Sequence, residues 1–277
     1  MRLIVLLLMV PCLSTGAQTP PVTAPLPNPV DLLSRAIANQ RKLAAERERY
    51  ECRVTDVVTE LDKHGNVKKN TTEEDEQFFV NGIPIERTIA KNGQDLSPGE
   101  TKKQDEKVMK ETLKYANRDT AQKQTDKNDQ ETLDFLEAMM LTGGQRRIEN
   151  GRSILTYTIV PNPKFHPKNL TQHFATVMQG TIAIDEKTGE VIDLNIKSVA
   201  DLKIGGGVLA DLHKGFWLHI HNHEEPDGVW LTDLGEGSGD ARAALFFHPY
   251  FRFKETTGDC HLYSATAVQV GRAKPVK

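Results

Sequence analysis

The stretch that decides the fold is "GTIAIDEKTGEVIDLNIKSV", Gly180 to Val199. Two short runs rich in Ile, Val and Leu flank "DEKTGE" (Asp185 to Glu190), a cluster of turn formers. Side chains along a strand alternate between its two faces, so Ile182 and Ile184 share one face and Thr181 and Ala183 the other. Two such runs around a glycine-bearing tip read as an antiparallel hairpin. Asp185 and Asp193 flank the tip, where carboxylates serve turn chemistry.

The pattern repeats outward. "GGQRRIENGRSILTYTIVP" places "ENGR" (Glu149 to Arg152) as the turn of another hairpin. Further upstream, Tyr50, Cys52, Val54 and Val58 alternate with Glu51, Arg53, Thr55 and Thr59, a half-buried strand. "DKHGN" (Asp62 to Asn66) turns it into a very polar returning strand, and "NGIP" (Asn81 to Pro84) leads to a third, Ile85 to Lys91. Downstream, strands are expected at Phe216 to Asn222, Val229 to Leu234, Ala241 to Phe253 and His261 to Val270. "GGG" (Gly205 to Gly207) reads as a bend. A phosphate loop would need a strand before it, a helix after it and a Lys-Ser or Lys-Thr pair.

Two segments carry the helical period. Leu32, Leu33, Ala36, Ile37, Gln40, Leu43 and Ala44 recur at amphipathic spacing behind Asp31, which can cap. Residues Ser97 to Met140 break the strand pattern. Ser97, Pro98 and Glu100 form a helix start, and Val108, Met109, Leu113 and Ala116 give the helix only a thin apolar stripe. A shorter helix, "NDQETLDFLEAMM" (Asn128 to Met140), is expected to dock through Leu133, Leu136 and Met140. Roughly ten strands with short turns, one leading helix and one helical insertion make an antiparallel α+β fold.

Composition sets further bounds. Arg2, an apolar run from Leu3 to Leu13 and small residues from Ser14 to Ala17 have the layout of a cleavable secretory signal, residues 1–17. The run is short of the roughly 20 apolar residues that span a bilayer, and no later segment is expected to be transmembrane. Lipidation at Cys12 is the alternative, but Pro11 stands where a small residue is wanted. Residues 18–29, "QTPPVTAPLPNP", read as a proline-rich extended tether. One domain is expected over residues 30–270, with residues 271–277 as a tail. The formal charge of −3 becomes −4 when Arg2 is removed, so no nucleic-acid partner is expected. Cleavage leaves Cys52 and Cys260. In an oxidising compartment such a pair is more often bridged than free, with two unpaired buried thiols as the alternative. A bridge here would contribute on the order of 4–5 kcal/mol by closing a very long loop.

"FWLHIHNHEEPDGVWL" (Phe216 to Leu231) concentrates histidines. Alternation puts Phe216, Leu218 and Ile220 on one face and Trp217, His219, His221 and His223 on the other. "EPDG" (Glu225 to Gly228) is a tight turn. The histidine face is the weak candidate for a metal site, but a catalytic ion needs three protein ligands, an open position and orienting neighbours. Asp227 and Glu224 lie in the turn. A partly solvated hairpin is the reading preferred here, with no cofactor. No serine sits in a G-x-S-x-G turn and no H-E-x-x-H occurs.

The strand pair "GTIAIDEKTGEVIDL" (Gly180 to Leu194) is similar to the G-x-[IL]-x-[IL]-D hairpin of the bacterial outer-membrane lipoprotein-sorting (LolA-like) superfamily. "IAKNGQDLSPGETKKQDEKVMKE" (Ile89 to Glu111) resembles a larger exported subgroup of that fold. The resemblance implies a sheet curved into an incomplete barrel, helices covering one side, and a periplasmic location in the bacterial envelope. It also implies a non-enzymatic protein whose cavity binds a lipid or an acylated protein. The alternatives are an envelope protein-interaction or stress-sensing module without lipid, and a metal-dependent hydrolase at His219, His221 and His223. Apolar alternates expected to wall the cavity are Val54, Val58, Phe78, Ile182 and Ile184, continued by Phe216, Leu218, Ile220, Phe251 and Phe253. The insertion would be its lid.

Overall fold

The computed structural model describes residues 25–205, 210–243 and 250–262. The expected export signal, most of the proline-rich tether, the centre of the glycine bend, the strand end beyond Leu262 and the tail lie outside the described residues. Helix α1 (Pro29–Arg47) is followed by β1 (Tyr50–Leu61), β2 (Val67–Val80), β3 (Ile83–Lys91) and the two-residue β4 (Gln94–Asp95). Helices α2 (Pro98–Ala116) and α3 (Arg118–Glu137) lead to the hairpin β5 (Met139–Glu149) and β6 (Arg152–Pro161). Next come α4 (Leu170–Ala175), β7 (Met178–Asp185), β8 (Val191–Ser198) and the short β9 (Leu202–Ile204) and β10 (Ala210–Leu212). The chain then runs through β11 (Trp217–Glu224), β12 (Trp230–Ala243) and β13 (Tyr250–Leu262).

Eleven strands form one antiparallel sheet in the order β4-β3-β2-β1-β13-β12-β11-β8-β7-β6-β5, with β9 and β10 as a side ladder on the end of β12. The first long strand and the last one are therefore neighbours near the middle. Cys52 on β1 is bridged to Cys260 on β13 across a sequence separation of 208. The bridge sits at a bulge, where the register shifts between Glu51 and Arg53 and Asp259 takes a φ of 49°. By the chain-entropy relation, closing so long a loop stabilises the fold by about 5 kcal/mol. The edge strands β4 and β5 do not pair, so the sheet stays open. Because α2 and α3 connect these two strands, the insertion runs from one edge of the sheet to the other. This is the α+β architecture of an incomplete barrel that the sequence led us to expect.

The hairpin that opened the sequence argument anchors α1. Asp185 is buried and its Oδ1 accepts from the backbone N–H groups of Lys187 and Thr188 and from the Thr188 hydroxyl. Gly189 has φ of 80°, and a Cβ there would lie 3.0 Å from the backbone nitrogen of Ala36. Glu190, fully buried, accepts a hydrogen bond from Asn39 of α1 at 2.9 Å. Leu32 of α1 joins the main core with Leu155, Tyr157, Ile159, Ile182, Ile184 and Ile196. Tight turns at Asn81–Gly82, Asn92–Gly93 and Asn150–Gly151 all have positive φ at both residues, the geometry that matches strand twist.

Several boundaries differ from expectation. The second insertion helix starts at Arg118, not Asn128, because Asn117 breaks the pair and caps α3 by accepting from the Thr120 N–H. Met139 and Met140 belong to β5. Helix α4 had no counterpart in the sequence reading; Asn169 caps it. The expected break around Leu234 does not occur: β12 runs continuously through Gly235, Gly237 and Gly239. These glycines share one face by alternation, and a Cβ on Gly237 or Gly239 would strike the ring of Phe253 or Phe216 at 2.6 and 2.7 Å. The missing side chains make room for aromatics from the adjoining chain, so glycine here is a packing residue within a strand.

Gly180 supplies a sharper test, since a Cβ there would lie 1.8 Å from the backbone oxygen of Asn195. Gly180→Ala is expected to lose about 3 kcal/mol or more in urea unfolding, because backbone cannot yield as a side chain can. Gly235→Ala, whose Cβ would meet only the Glu255 Cβ at 3.8 Å, is expected to stay within about 0.5 kcal/mol of the parent or to gain slightly.

Candidate functional site

The face of the sheet that carries Ile182 also carries Ile196, Leu218, Phe253 and Phe251, and continues through Val58, Asp56 and Val54 by the observed register. This inner face has two chemically different halves. Over β6, β7, β8 and β11 lies a cavity of about 650 Å³. Its floor is Ile159, Ile182, Val191, Leu194, Ile196 and Leu218; Ala36 of α1 forms one wall. Phe135 and Leu136 of α3 close it from above, and Asn128, Asp129, Glu131 and Thr132 give it a polar rim. The volume lies inside the range of about 300–1,000 Å³ usual for small-molecule sites.

Of the residues named from sequence, Ile182 and Leu218 line this cavity. Ile184 and Phe251 are buried in the core cluster, and Phe216 and Phe253 pack against it. Phe251 has its ring 6.4 Å from Phe216 and 6.3 Å from Phe253. Ile220 stands opposite Leu194, half-buried. Val54 is fully buried on β1 in the other half of the inner face, while Val58 is 40% exposed. Phe78 points to the opposite face, because its neighbours Gln77 and Phe79 line the inner side. The sequence reading missed Ile159, Val191, Leu194 and Ile196. All four lie on the β6–β8 strands it had drawn, and the neighbouring Ile182 shows the same alternation.

The other half of the inner face is acidic. Asp56 on β1 stands directly opposite Glu255 on β13 and Glu73 on β2. Asp75 lies diagonally from it and hydrogen-bonds its carboxyl, and Glu86 on β3 accepts from Gln77 at 3.2 Å. Lys91 pairs with Glu73 at 2.8 Å. Burial first, then Glu255 and the other carboxylates, pushes Asp56 up to about 7. Burial, with Glu86 and Asp75, also raises Glu255. A second cavity of about 310 Å³ adjoins this half, lined by Glu255, Gln77, Thr257, Cys52, Asn222, Thr232 and, from α1, Arg47.

The histidines of the β11–β12 hairpin are on the outer face, each beside at least one carboxylate, with Asp233 lying against both His221 and His223. His219 bonds Asp193 at 2.8 Å and Glu236 at 3.3 Å, His221 bonds Asp233 at 2.6 Å, and His223 bonds Glu225 at 3.0 Å. The hydrogen bond to Asp193 holds the His219 imidazole above its usual pKa. Asp227, at the turn, accepts from the Tyr50 hydroxyl and Arg49. Among the described residues no three His, Cys, Asp or Glu side chains converge to hold an ion. No described helix is long and apolar enough to cross a membrane.

No family model matches the chain, and no curated protein matches it. Solved structures do resemble it. An outer-membrane lipoprotein-sorting protein domain from Vibrio parahaemolyticus is 10% identical, with 87% of this chain and 94% of that one covered at a TM-score of 0.34. A LolA superfamily protein from Nitrosomonas europaea is 8% identical over 86% and 95%, at 0.30. MucB, solved in complex with MucA(peri), is 10% identical over 85% and 94%, at 0.24. The strand order above, not these loose superpositions, carries the description of the fold.

The acidic half makes stability depend on pH. Asp56 and Glu255 hold protons in the folded chain that the unfolded chain has already lost. Their contributions are full below the ordinary carboxylate pKa of about 4; that of Asp56 is lost as pH rises through about 7, and that of Glu255, whose carboxyl is also raised, is lost in the same direction. His219, also raised, acts in the same direction from about pH 6.5 upward. Glu186 and Asp227 are lowered, by Arg146 and Tyr50 respectively, so their contributions are lost only in acid below that window. The melting temperature of the unliganded protein, followed by circular dichroism, is therefore expected to fall between about pH 5 and pH 8. Asp56→Asn should flatten that fall and raise the melting temperature at the alkaline end.

Proposed function

We propose that this is a non-enzymatic protein exported to the periplasm, with residues 1–17 as the signal, 18–29 as a tether and 30–270 as the folded domain. It binds a lipid or an acylated protein in the cavity beneath α3. One observation carries the reading: six aliphatic side chains from four adjoining strands form the floor of a 650 Å³ space bordered by Ala36 of α1 and by Phe135 and Leu136 of α3. Burying a hydrocarbon chain is worth about 0.8 kcal/mol per CH₂. Ten methylenes would release about 8 kcal/mol before the costs of association. The polar rim on α3 leaves a headgroup or a peptide in contact with water while the chain enters.

A second reading, docking of an envelope protein without lipid, draws on α2. That helix buries none of its residues, and Met109 and Leu113, one turn apart, are 61% and 68% exposed.

Native mass spectrometry of protein expressed in a bacterial periplasm is expected to show bound lipid. After delipidation, fatty acid or phospholipid should be taken up again. Leu218→Trp, which fills the floor, should weaken that uptake by about tenfold or more, the loss of roughly two buried methylenes. A clean apo mass with no uptake by the delipidated parent would leave only the docking reading.

A further inference from the structure

Helix α2 carries three stripes of side chains, and the fold uses only one of them. Gln104, Val108, Glu111 and Tyr115, spaced i, i+4, i+7 and i+11, are half-buried on the side turned to β3. That side is fastened along its length: Asp105 takes Arg87 of β3 at 2.8 Å, and the Asn81 amide donates to the Tyr115 carbonyl at 2.7 Å. The opposite side is exposed. It holds an apolar stripe, Met109, Leu113 and Ala116, at the same helical spacing. Beside it runs a lysine stripe, Lys103, Lys107, Lys110 and Lys114, all exposed. Like charges so spaced repel one another along a helix. Among the described residues no carboxylate stands within ion-pair distance of these four; Lys114 reaches the Tyr115 hydroxyl instead, at 2.9 Å. Three of the acids of α2 are engaged elsewhere: Glu100 closes the capping box with Ser97, Asp105 holds Arg87, and Glu106 faces Lys102.

Charge and side-chain type together point to the occupant. The chain as a whole is acidic, at a formal −3, and α3 sets three cations against six acids. Helix α2 reverses that balance on its exposed side. All five of its cations are lysine and none is arginine. Protein interfaces are enriched in arginine, whose planar fork matches fixed carboxylates, and depleted in lysine. A flexible stem with a point charge at its end suits a fluid field of phosphates instead: the stem lies along apolar surface while the ammonium stays in the headgroup layer. An apolar stripe beside a lysine row is the composition of a helix that lies in the plane of a membrane interface. We infer that α2 docks on the surface of an anionic phospholipid bilayer. Met109 and Leu113 enter the acyl boundary, and Lys103, Lys107, Lys110 and Lys114 meet the phosphates, each adding to the attraction. The docking surface does not depend on the cavity, although α2 passes at Asn117 directly into α3, whose residues rim that cavity.

The experiment is co-sedimentation of the purified protein with phospholipid vesicles at about 0.15 M salt. Partition into phosphatidylcholine containing about 30% phosphatidylglycerol is expected to exceed partition into phosphatidylcholine alone by about tenfold or more, and to fall steeply at about 0.5 M salt. Lys103→Gln/Lys110→Gln should weaken binding to the anionic vesicles by about tenfold or more. Met109→Ser/Leu113→Ser should weaken it by a similar factor of about ten. Lys68→Gln/Lys69→Gln removes the same charge from exposed positions on β2 and should stay within about twofold of the parent. All the substituted positions are exposed, so thermal unfolding matching the parent confirms the fold of each variant. Equal partition of the parent into the two kinds of vesicle overturns the inference and leaves α2 to a protein partner. Undiminished binding by either α2 variant, or an equal loss in the β2 variant, overturns it as well. Lipid uptake by the cavity is read separately by native mass spectrometry, and its failure would leave this surface standing.

Discussion

An antiparallel sheet of eleven strands that does not close must settle two things at once: what covers its inner face, and what holds its two edges. In this chain one topological choice addresses both. The edge strands β4 and β5 are consecutive in the sequence, so the connection between them has to cross the opening of the sheet. That connection is α2 and α3. A long, highly charged helical pair would be hard to place in a compact core, but it suits a position where only α3 turns a few apolar residues inward. The N-terminal helix completes the cover by docking on the β7–β8 tip, where Gly189 lets its backbone approach and Glu190 bonds Asn39. The Cys52–Cys260 bridge then ties β1 to β13 in the middle of the sheet, where the two ends of the folded chain meet.

Much of this was legible before any coordinates, for a physical reason. Alternating Ile and Val runs around glycine-bearing tips specify hairpins locally, so the meander, the first helix and the Ser97 capping box could all be read from short windows. The pairing of Cys52 with Cys260 followed from counting thiols in an oxidising compartment. What escaped was decided by distant neighbours. The glycines of β12 look like breaks in a local window, yet they are continuous strand because rings from β13 and from the segment ahead of β11 occupy their face. The start of α3 turned on a single asparagine serving as a cap.

The cavity was half legible. Alternation identifies which residues share a face but not which part of that face is filled; Ile182 and Leu218 border the open space. Phe251 and Ile184 were drawn to the same surface but are packed by their own neighbours. Phe78 was placed on the wrong face because the adjacent Phe79 is the inner one, an ambiguity that any pair of neighbouring aromatics creates. The acidic half could not be seen at all: "TTEEDEQ" reads as a solvated strand, and only the register of β1 against both β2 and β13 brings Asp56 between Glu73 and Glu255.

That last arrangement bears on how the two halves of the inner face should be weighed. Partly buried carboxylates facing one another cost stability, and a sheet with a free choice of residues at these positions would alternate charges or use threonine. Sites at which local rules are broken without compensation elsewhere in the fold are where function most often lies. The apolar half follows the rules of core packing. The acidic half breaks them, with Asp75 presenting a buried oxygen to no donor. The larger open space, about 650 Å³ against about 310 Å³, nevertheless lies over the apolar half.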